Sequence, residues 1–390
     1  MANEHIKRIL KVGLGRESVA GTPVAATIFI PAETADFMPD FTKARDKSGA
    51  GSIVEQRASR TVKQKSKVTL EGIGMDTLLG HLLYATLGTY YLCLQTVRSG
   101  GSGTFVVGET VTQAVSAATG VVRRIRNTTT LYISVTSGTF TSGSNNITGG
   151  TSGATGIITF DSAIRAHVFQ LLNTNNHPSY TIWAKDDVST RKAAYGMLDE
   201  LTLTAAMGEF LKFKSIWMAK KEATDTVTPA YSAENPFIGK NALVYLAASL
   251  SALDAASATP LSEAMLTVKK NVEDYQAFGA GTDITSQHNK QFTVVGDLSA
   301  IFNSETLKNL VVNSTIDAMR IELINSDVVI GSASNPTLTI DLAQCSFADW
   351  SEEGGLDDLS MQKVGFESEL SLTDGEAMTV ILLNGKTTTY

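Results

Sequence analysis

An internal duplication constrains this chain more than any single motif does. KSKVTLEG (65–72) lines up with NKQFTVVG (289–296), pairing Val68 with Phe292, Leu70 with Val294 and Gly72 with Gly296. Upstream, Gly49-Ala50-Gly51 echoes Gly279-Ala280-Gly281. Downstream, LLGHLL (78–83) corresponds to TLKNLV (306–311), HVFQLLN (167–173) to MRIELIN (319–325), and HPSYTI (177–182) to NPTLTI (335–340). The order is the same in both halves: hairpin, short helix, strand, turn, strand. A chain with such self-similarity is expected to build one structural unit twice.

The offset between the halves is 224 at the first match and 152 to 158 at the last two, so the first half carries about 70 extra residues before His167. That interval holds a smaller repeat, GTFVVGETVTQAVSAATG and GTFTSGSNNITGGTSGATG. Short Thr- and Val-rich runs broken by Gly, Ser and Asn suit a small all-β module, and a low-complexity loop is the alternative. The alternation from Thr130 to Val135 favours β structure. The expected division is residues 1–94 with 165–232 as the first copy, 95–164 as an inserted β-rich surface module with its ends close together, and 233–390 as the second copy.

Strand patterns dominate elsewhere. LDELTLTAA (198–206) and LKFKSIWMA (211–219) alternate, with Leu211, Phe213, Ser215 and Trp217 on one face. Many strands with a short helix per half imply a mainly β fold of antiparallel sandwiches or barrels. The run TLLGHLLYATLGTYYLCL (77–94) has the length of a membrane span, but Gly80, His81 and Gly88 divide it. It reads as helix to about Leu87 and strand beyond. Residues 1–30 lack the zones of a signal peptide. Cys93 and Cys345, the two cysteines of the chain, have no metal or disulfide spacing.

Charge is uneven. Residues 1–70 hold 12 Lys and Arg against 7 Asp and Glu, and the rest of the chain holds 20 against 32. The basic residues concentrate in 42–67, a tract without the interleaved aromatics of a nucleic-acid surface, which reads as a solvated or protein-facing loop. No catalytic constellation emerges. His5, His81, His167, His177 and His288 are scattered without partners at ligand spacing. The group Asp349, Glu352, Glu353, Asp357 and Asp358 lacks the alternation of a calcium loop and reads as a solvated acidic turn. No enzyme activity, cofactor or metal is expected.

GLGRESVAGTPVAATIFIPAE (13–33) superficially suggests a phosphate-cradling loop, but the third glycine position is Ser18 and a strand-like run, Val24 to Ile30, follows where a helix is needed. It reads instead as a flexible arm leading into a strand. The longer stretch GRESVAGTPVAATIFIPAETADFMPD resembles the N-terminus of tail tube proteins of long-tailed bacteriophages, where G-x-E-x-x-x-G-T-P-V-A-A-T precedes the first strand. The likeness continues through a basic Gly/Ser-rich loop (43–60), a strand ending LEGIG and a Leu-rich helix. It covers 13 to about 90 well, and 166–220 and the second copy more loosely.

This resemblance implies two tandem tail-tube-like β sandwich domains, each with a flanking helix. It implies a structural virion protein, assembled in the host cytoplasm, whose stacked rings form the hollow tail tube through which DNA is ejected. Six copies of the fold make a ring in the common single-domain members, so three duplicated chains are expected to close a pseudo-sixfold ring. The implied partners are other copies, tape measure and terminator proteins, and DNA passing without sequence-specific contact; no membrane is involved. Lys43, Arg45, Lys47, Arg57 and Arg60 are expected to be mobile in the free subunit and to contact acidic Asp357 and Asp358 of a neighbouring ring. Lys63, Lys65 and Lys67, with their counterparts Gln287, Asn289 and Gln291, are expected to face the lumen. A receptor- or carbohydrate-binding tail fibre or adhesin module is the alternative, and lacks exposed Trp and Tyr clusters. An outer-membrane barrel would need longer lipid-facing alternation.

Overall fold

The alternation seen in LDELTLTAA and LKFKSIWMA sets the pattern for the whole molecule, which is mainly β, with 53% of residues in strands and 7% in helices. A computed structural model of the chain describes residues 7–49, 51–143 and 145–390, so His5 and Ala50 lie outside the described residues. The chain begins with β1 (Lys11–Arg16), β2 (Ile28–Ile30), β3 (Ala32–Asp46), β4 (Ala58–Ile73) and helix α1 (Leu78–Leu87). Then come β5 (Gly88–Ser99), β6 (Thr110–Gln113), β7 (Ala118–Ile125), β8 (Thr130–Ser137), β9 (Asn146–Gly149) and β10 (Thr155–Thr159). They are followed by β11 (Arg165–Leu171), β12 (Tyr180–Lys185), β13 (Thr190–Ala206), β14 (Lys212–Lys220) and β15 (Ala223–Thr224). The second half contributes β16 (Ala242–Ala247), β17 (Ala258–Thr259), β18 (Glu263–Lys269), β19 (Glu273–Tyr275), β20 (Ser286–His288) and β21 (Thr293–Ile301). It ends with helix α2 (Thr306–Val312), β22 (Ile316–Ile324), β23 (Thr337–Glu353), β24 (Met361–Glu369) and β25 (Met378–Asn384).

Eight of these strands form one continuous antiparallel succession, β3–β4–β14–β13–β18–β21–β24–β23. A single cross-strand row runs through it: Ala32, Gly72, Phe213, Leu203, Leu266, Gly296, Phe366 and Phe347. The two glycines matched in sequence thus each lie beside a phenylalanine. A Cβ on Gly72 would stand 3.2 Å from the Phe213 ring, and one on Gly296 2.5 Å from the Phe366 ring. Each ring covers the bare backbone of its neighbour, the role aromatics play beside strand glycines.

One face of this succession carries Val68, Leu70, Trp217, Leu203, Leu266, Val294 and Val364 into the main core. Opposite, Val12, Leu14, Ile30, Tyr180 and Ile182 of β1, β2 and β12 enter the same core, as do the leucines of α1. The arrangement is sandwich-like. Helix α1 ends at Gly88, whose φ of +83° admits the left-handed cap conformation, and the chain turns directly into β5.

The same order of pairings occurs twice. β1 pairs with β2 and β12, β12 with β13, β13 with β14, β14 with β4, and β4 with β3. Likewise β16 pairs with β17 and β22, β22 with β23, β23 with β24, β24 with β21, and β21 with β18. HVFQLLN and MRIELIN do not share a place in this order. The first lies mainly on β11, between β5 and β25, and the second on β22, between β16 and β23. Neither do HPSYTI, which runs into β12, and NPTLTI, which runs into β23, since β12 corresponds to β22.

Strands β5, β8, β7, β6, β9 and β10 pair in a closed cycle, the last returning to β5. This small barrel has its own apolar centre, in which Val111 and Ile147, Ala118 and Ala154, and Val122 and Ile158 stand at one constant spacing in the sequence. The GTF…ATG repeat therefore supplies corresponding core residues.

The N-terminal segment differs from the flexible arm expected. Residues 11–16 form a fully paired strand with Val12 and Leu14 inside the core, and only Ile28–Ile30 of the following run is strand. Gly13 and Gly15 serve close packing here: a Cβ on Gly13 would meet Ala26 at 2.7 Å, and one on Gly15 would meet the Ala25 carbonyl.

Candidate assembly surface

The eight-stranded succession presents three surfaces: its two outer strands, its solvent face, and its two ends. At one margin, β4 is the strand with which β3 pairs among the described residues. At the other, residues 347–353 of β23 pair on one side with β24, while β22 covers the second side only as far as Ser346. Unpaired strand margins are templates for further pairing. Between them the two halves of the chain meet edge to edge, Glu200–Ala206 of β13 against Glu263–Lys269 of β18 over seven residue pairs.

The face turned away from the core is polar and its charges are matched across strands. Lys214 meets Glu71 at 2.9 Å, Lys363 meets Asp297 at 3.4 Å and Lys269 meets Glu200 at 3.7 Å. Thr202 and Thr267 share a hydroxyl contact of 3.0 Å. Lys63, Lys65 and Lys67 stand on this face as expected from their spacing. Lys63 and Lys65 both bind Asp274 of β19, the second at 3.0 Å, and Lys67 lies between Met38 and Met218.

Gln287, Asn289 and Gln291 do not continue that face. Strand β21 begins only at Thr293; Gln287 belongs to the separate β19–β20 hairpin, and the other two lie in the connection after it. Gln287 is 2% exposed, with its amide donating to the Tyr195 carbonyl at 3.0 Å. The cause is that the chain leaves the sheet after Lys269 and folds back through β19–β20, with the Asn271 side chain donating to the Gln291 carbonyl.

The two ends of the sheet differ in charge. The β3–β4 hairpin projects from one end, and the β23–β24 turn (354–360) lies at the other. The segment read as a loop over 43–60 is shorter than expected: Lys43 and Arg45 lie on β3 and Arg60 on β4, because cross-strand pairing persists to Asp46 and Ala58. Lys43, Arg45, Lys47, Arg57 and Arg60 are all exposed. Lys47 pairs with Glu55, and Arg57 with Asp46 at 3.0 Å. Asp357 and Asp358 are exposed at the opposite end, where Asp358 accepts the Gly355 N–H at 3.1 Å. Large apolar side chains project at both ends, Ile53 and Val54 on the hairpin and Leu356 and Leu359 on the acidic turn.

Among the described residues, no three His, Cys, Asp or Glu side chains converge as a metal site would require. His81 and His167 are buried in an aromatic cluster with Tyr90 and Tyr390. No helix among the described residues is long and apolar enough to cross a membrane. A cleft of about 630 Å³ lies between the small barrel and the second half, beside Arg124, Arg126, Arg320 and Glu376; Asn127, Gln170, Asn173, Ser251 and Met378 also contribute to its walls, and no aromatic side chain does.

Two groups escaped the sequence reading. Glu17 is buried and accepts four hydrogen bonds, from the Gly21 and Tyr195 N–H groups and the Ser179 and Thr181 hydroxyls, at 2.7 to 2.9 Å. Its place in G-x-E-x-x-x-G was the available signal. Arg124 and Arg126 of VVRRIR (121–126) enter a largely buried ion network, while Arg123 lies over the Tyr91 ring and donates to the Ser134 hydroxyl; two arginines two positions apart after an apolar pair could have drawn attention to them. No protein-family model and no curated protein matches the chain.

Proposed function

We propose that this chain is the tail tube subunit of a long-tailed bacteriophage, built from two tandem tube domains (1–94 with 165–232, and 233–390) and an inserted β module (95–164). Three chains close a pseudo-sixfold ring, and rings stack into the tube that conducts DNA. The observation carrying this reading is the β13–β18 seam. It joins the two halves by strand pairing, while comparable strand margins remain open at β3 and at 347–353. A head-to-tail contact that repeats the seam between chains generates a ring when the rotation closes. By the cross-strand row, Ala32 of one chain comes to lie beside Phe347 of the next, as Leu266 lies beside Leu203 within the chain.

The solvent face supports the conduit role. A surface that binds nucleic acid offers free cations to phosphates, whereas Lys214, Lys269 and Lys363 here are matched to carboxylates on adjacent strands, and Lys63 and Lys65 to Asp274. The opposite charges of the two sheet ends support stacking, with the β3–β4 hairpin of one ring reaching the Asp357–Asp358 turn of the next. Tape measure and terminator proteins are the further partners of such a tube, and the virion tail is its location. Electron microscopy and mass measurement of purified protein test the reading. Rings of three chains, or tubes made from them, are expected. Six full-length chains per ring would show that the duplication was misread, and dispersed monomers that bind a glycan would replace the tube by an adhesin.

A further inference from the structure

We propose that the six-stranded barrel is a staple that fastens the two halves of the chain to each other. The barrel leaves and rejoins the chain within the first half, through β5 and β10, and it also reaches the second half. Strand β11, which follows it, pairs with β5 on one side and with β25 on the other, Arg165–Gln170 against Thr379–Asn384. An apolar neck packs Cys93, Tyr132, Ile164 and Val168 on Ile381 and Leu383. Beyond β10, Asp161 accepts the N–H and hydroxyl of Ser332 at 2.6 and 2.8 Å.

The charges give the strongest argument. The second half presents four carboxylates toward the barrel, Asp254, Glu322, Asp341 and Glu376, and one cation among them, Arg320. Asp341, Glu322 and Arg320 are almost wholly buried. Arg320 binds Asp341 and Asp254, leaving Glu322 and Glu376 to other cations. The end of barrel strand β7 and the residue just after it supply them: Arg124 binds Asp341 at 2.9 Å and also Glu376, and Arg126 binds Glu322 at 2.8 Å and Asp254 at 3.1 Å. Carboxylates withdrawn from water need a cation in place, and removing one partner of such a pair is far more damaging than the pair is stabilising. The second half is therefore electrostatically complete only with two arginines from the barrel. An appendage that merely decorates the surface requires none of this.

The two halves carry separate reporters, Trp183 and Trp217 in the first and Trp350 in the second. In versions of the full chain keeping only Trp217 or only Trp350, urea unfolding is expected to coincide. With Arg124→Gln and Arg126→Gln, the Trp350 signal should move to lower urea and separate from the Trp217 signal. Adding Glu322→Gln and Glu376→Gln should bring the two back toward coincidence, which a merely local loss of packing would not do. A second version removes the barrel. Cys93 faces Ala166 directly across β5–β11, so Leu94 and Arg165 can be joined through Asn-Gly, a two-residue hairpin turn; the transitions should again separate. Unchanged, coincident midpoints in the arginine variant, or separation that the carboxamide substitutions fail to reduce, would overturn the proposal. Ring formation does not enter this measurement, so the staple and the tube reading fail independently.

Discussion

Glu17 shows how much a single side chain organises here. Its carboxylate gathers donors from its own turn, from the connection before β12, from β12 and from β13. Truncation leaves buried donors without an acceptor, each at a cost of about 1–3 kcal/mol. Glu17→Ala should therefore destabilise the protein by roughly 3 kcal/mol or more in urea unfolding, and a loss under about 1 kcal/mol would refute this account. Buried histidines set the response to acid. Burial pushes His81 down to about 3, and His167 and His177 to about 4, from an ordinary value of 6.5. Below pH 6.5 the unfolded chain takes up these protons and the folded one does not, so stability falls as pH drops toward 4. Glu234 opposes this. Burial and the nearby Asp76 carboxylate raise it to about 7 from 4.5, so it adds stability as pH falls between those values. Three groups against one leave ~2 protons between pH 6.5 and 4.5, or roughly 2–3 kcal/mol per pH unit. Urea midpoints measured across this range should fall steadily, and a flat profile would contradict the assignment.

At the scale of elements, the β3–β4 hairpin carries the clearest consequence. Its exposed cations and apolar tip stand at the opposite end of the sheet from Leu356, Asp357, Asp358 and Leu359. Exposed ion pairs contribute only about 0–1 kcal/mol each, but the proposed ring would repeat every one of them. Lys43→Glu with Arg60→Glu should leave ring formation and unfolding midpoints unchanged while sharply reducing tube length in micrographs; tubes of normal length would remove the hairpin from the stacking contact. Some elements were legible in the sequence for definite reasons. The break between α1 and β5 shows because the helical period ends at a glycine in the left-handed conformation. The faces of β4 show because Lys63, Lys65 and Lys67 alternate with Ser66, Val68 and Leu70. Others were hidden. Gly13 and Gly15 look like turn residues, but sit in a strand because neighbouring atoms leave no room for a side chain. Residues 287–291 alternate like a strand, yet Gln287 pairs in a different hairpin, a long-range decision that local pattern does not contain. The open margins were out of reach, and so were the partners of Arg124 and Arg126, whose pattern was visible, since both depend on which strands lie beside one another.

For the whole molecule, the small barrel and the eight-stranded succession solve the problem of strand margins in opposite ways. The barrel closes on itself and offers no free edge, so it can project from an assembly without recruiting further strands. The succession stays open at both sides. In the proposed ring, one barrel per chain means that a mass measurement counting three chains would also imply three projections on a wall of six similar domains. The row from Ala32 to Phe347 carries a mechanical consequence as well. Antiparallel hydrogen bonds lie perpendicular to their strands, so a pull directed along the strands loads every rung of all seven ladders in shear at once. A pull across them peels the ladders apart one at a time. The sheet is accordingly expected to be stiff along its strands and compliant across them, so an assembly whose axis followed the strands would bend sideways while resisting extension.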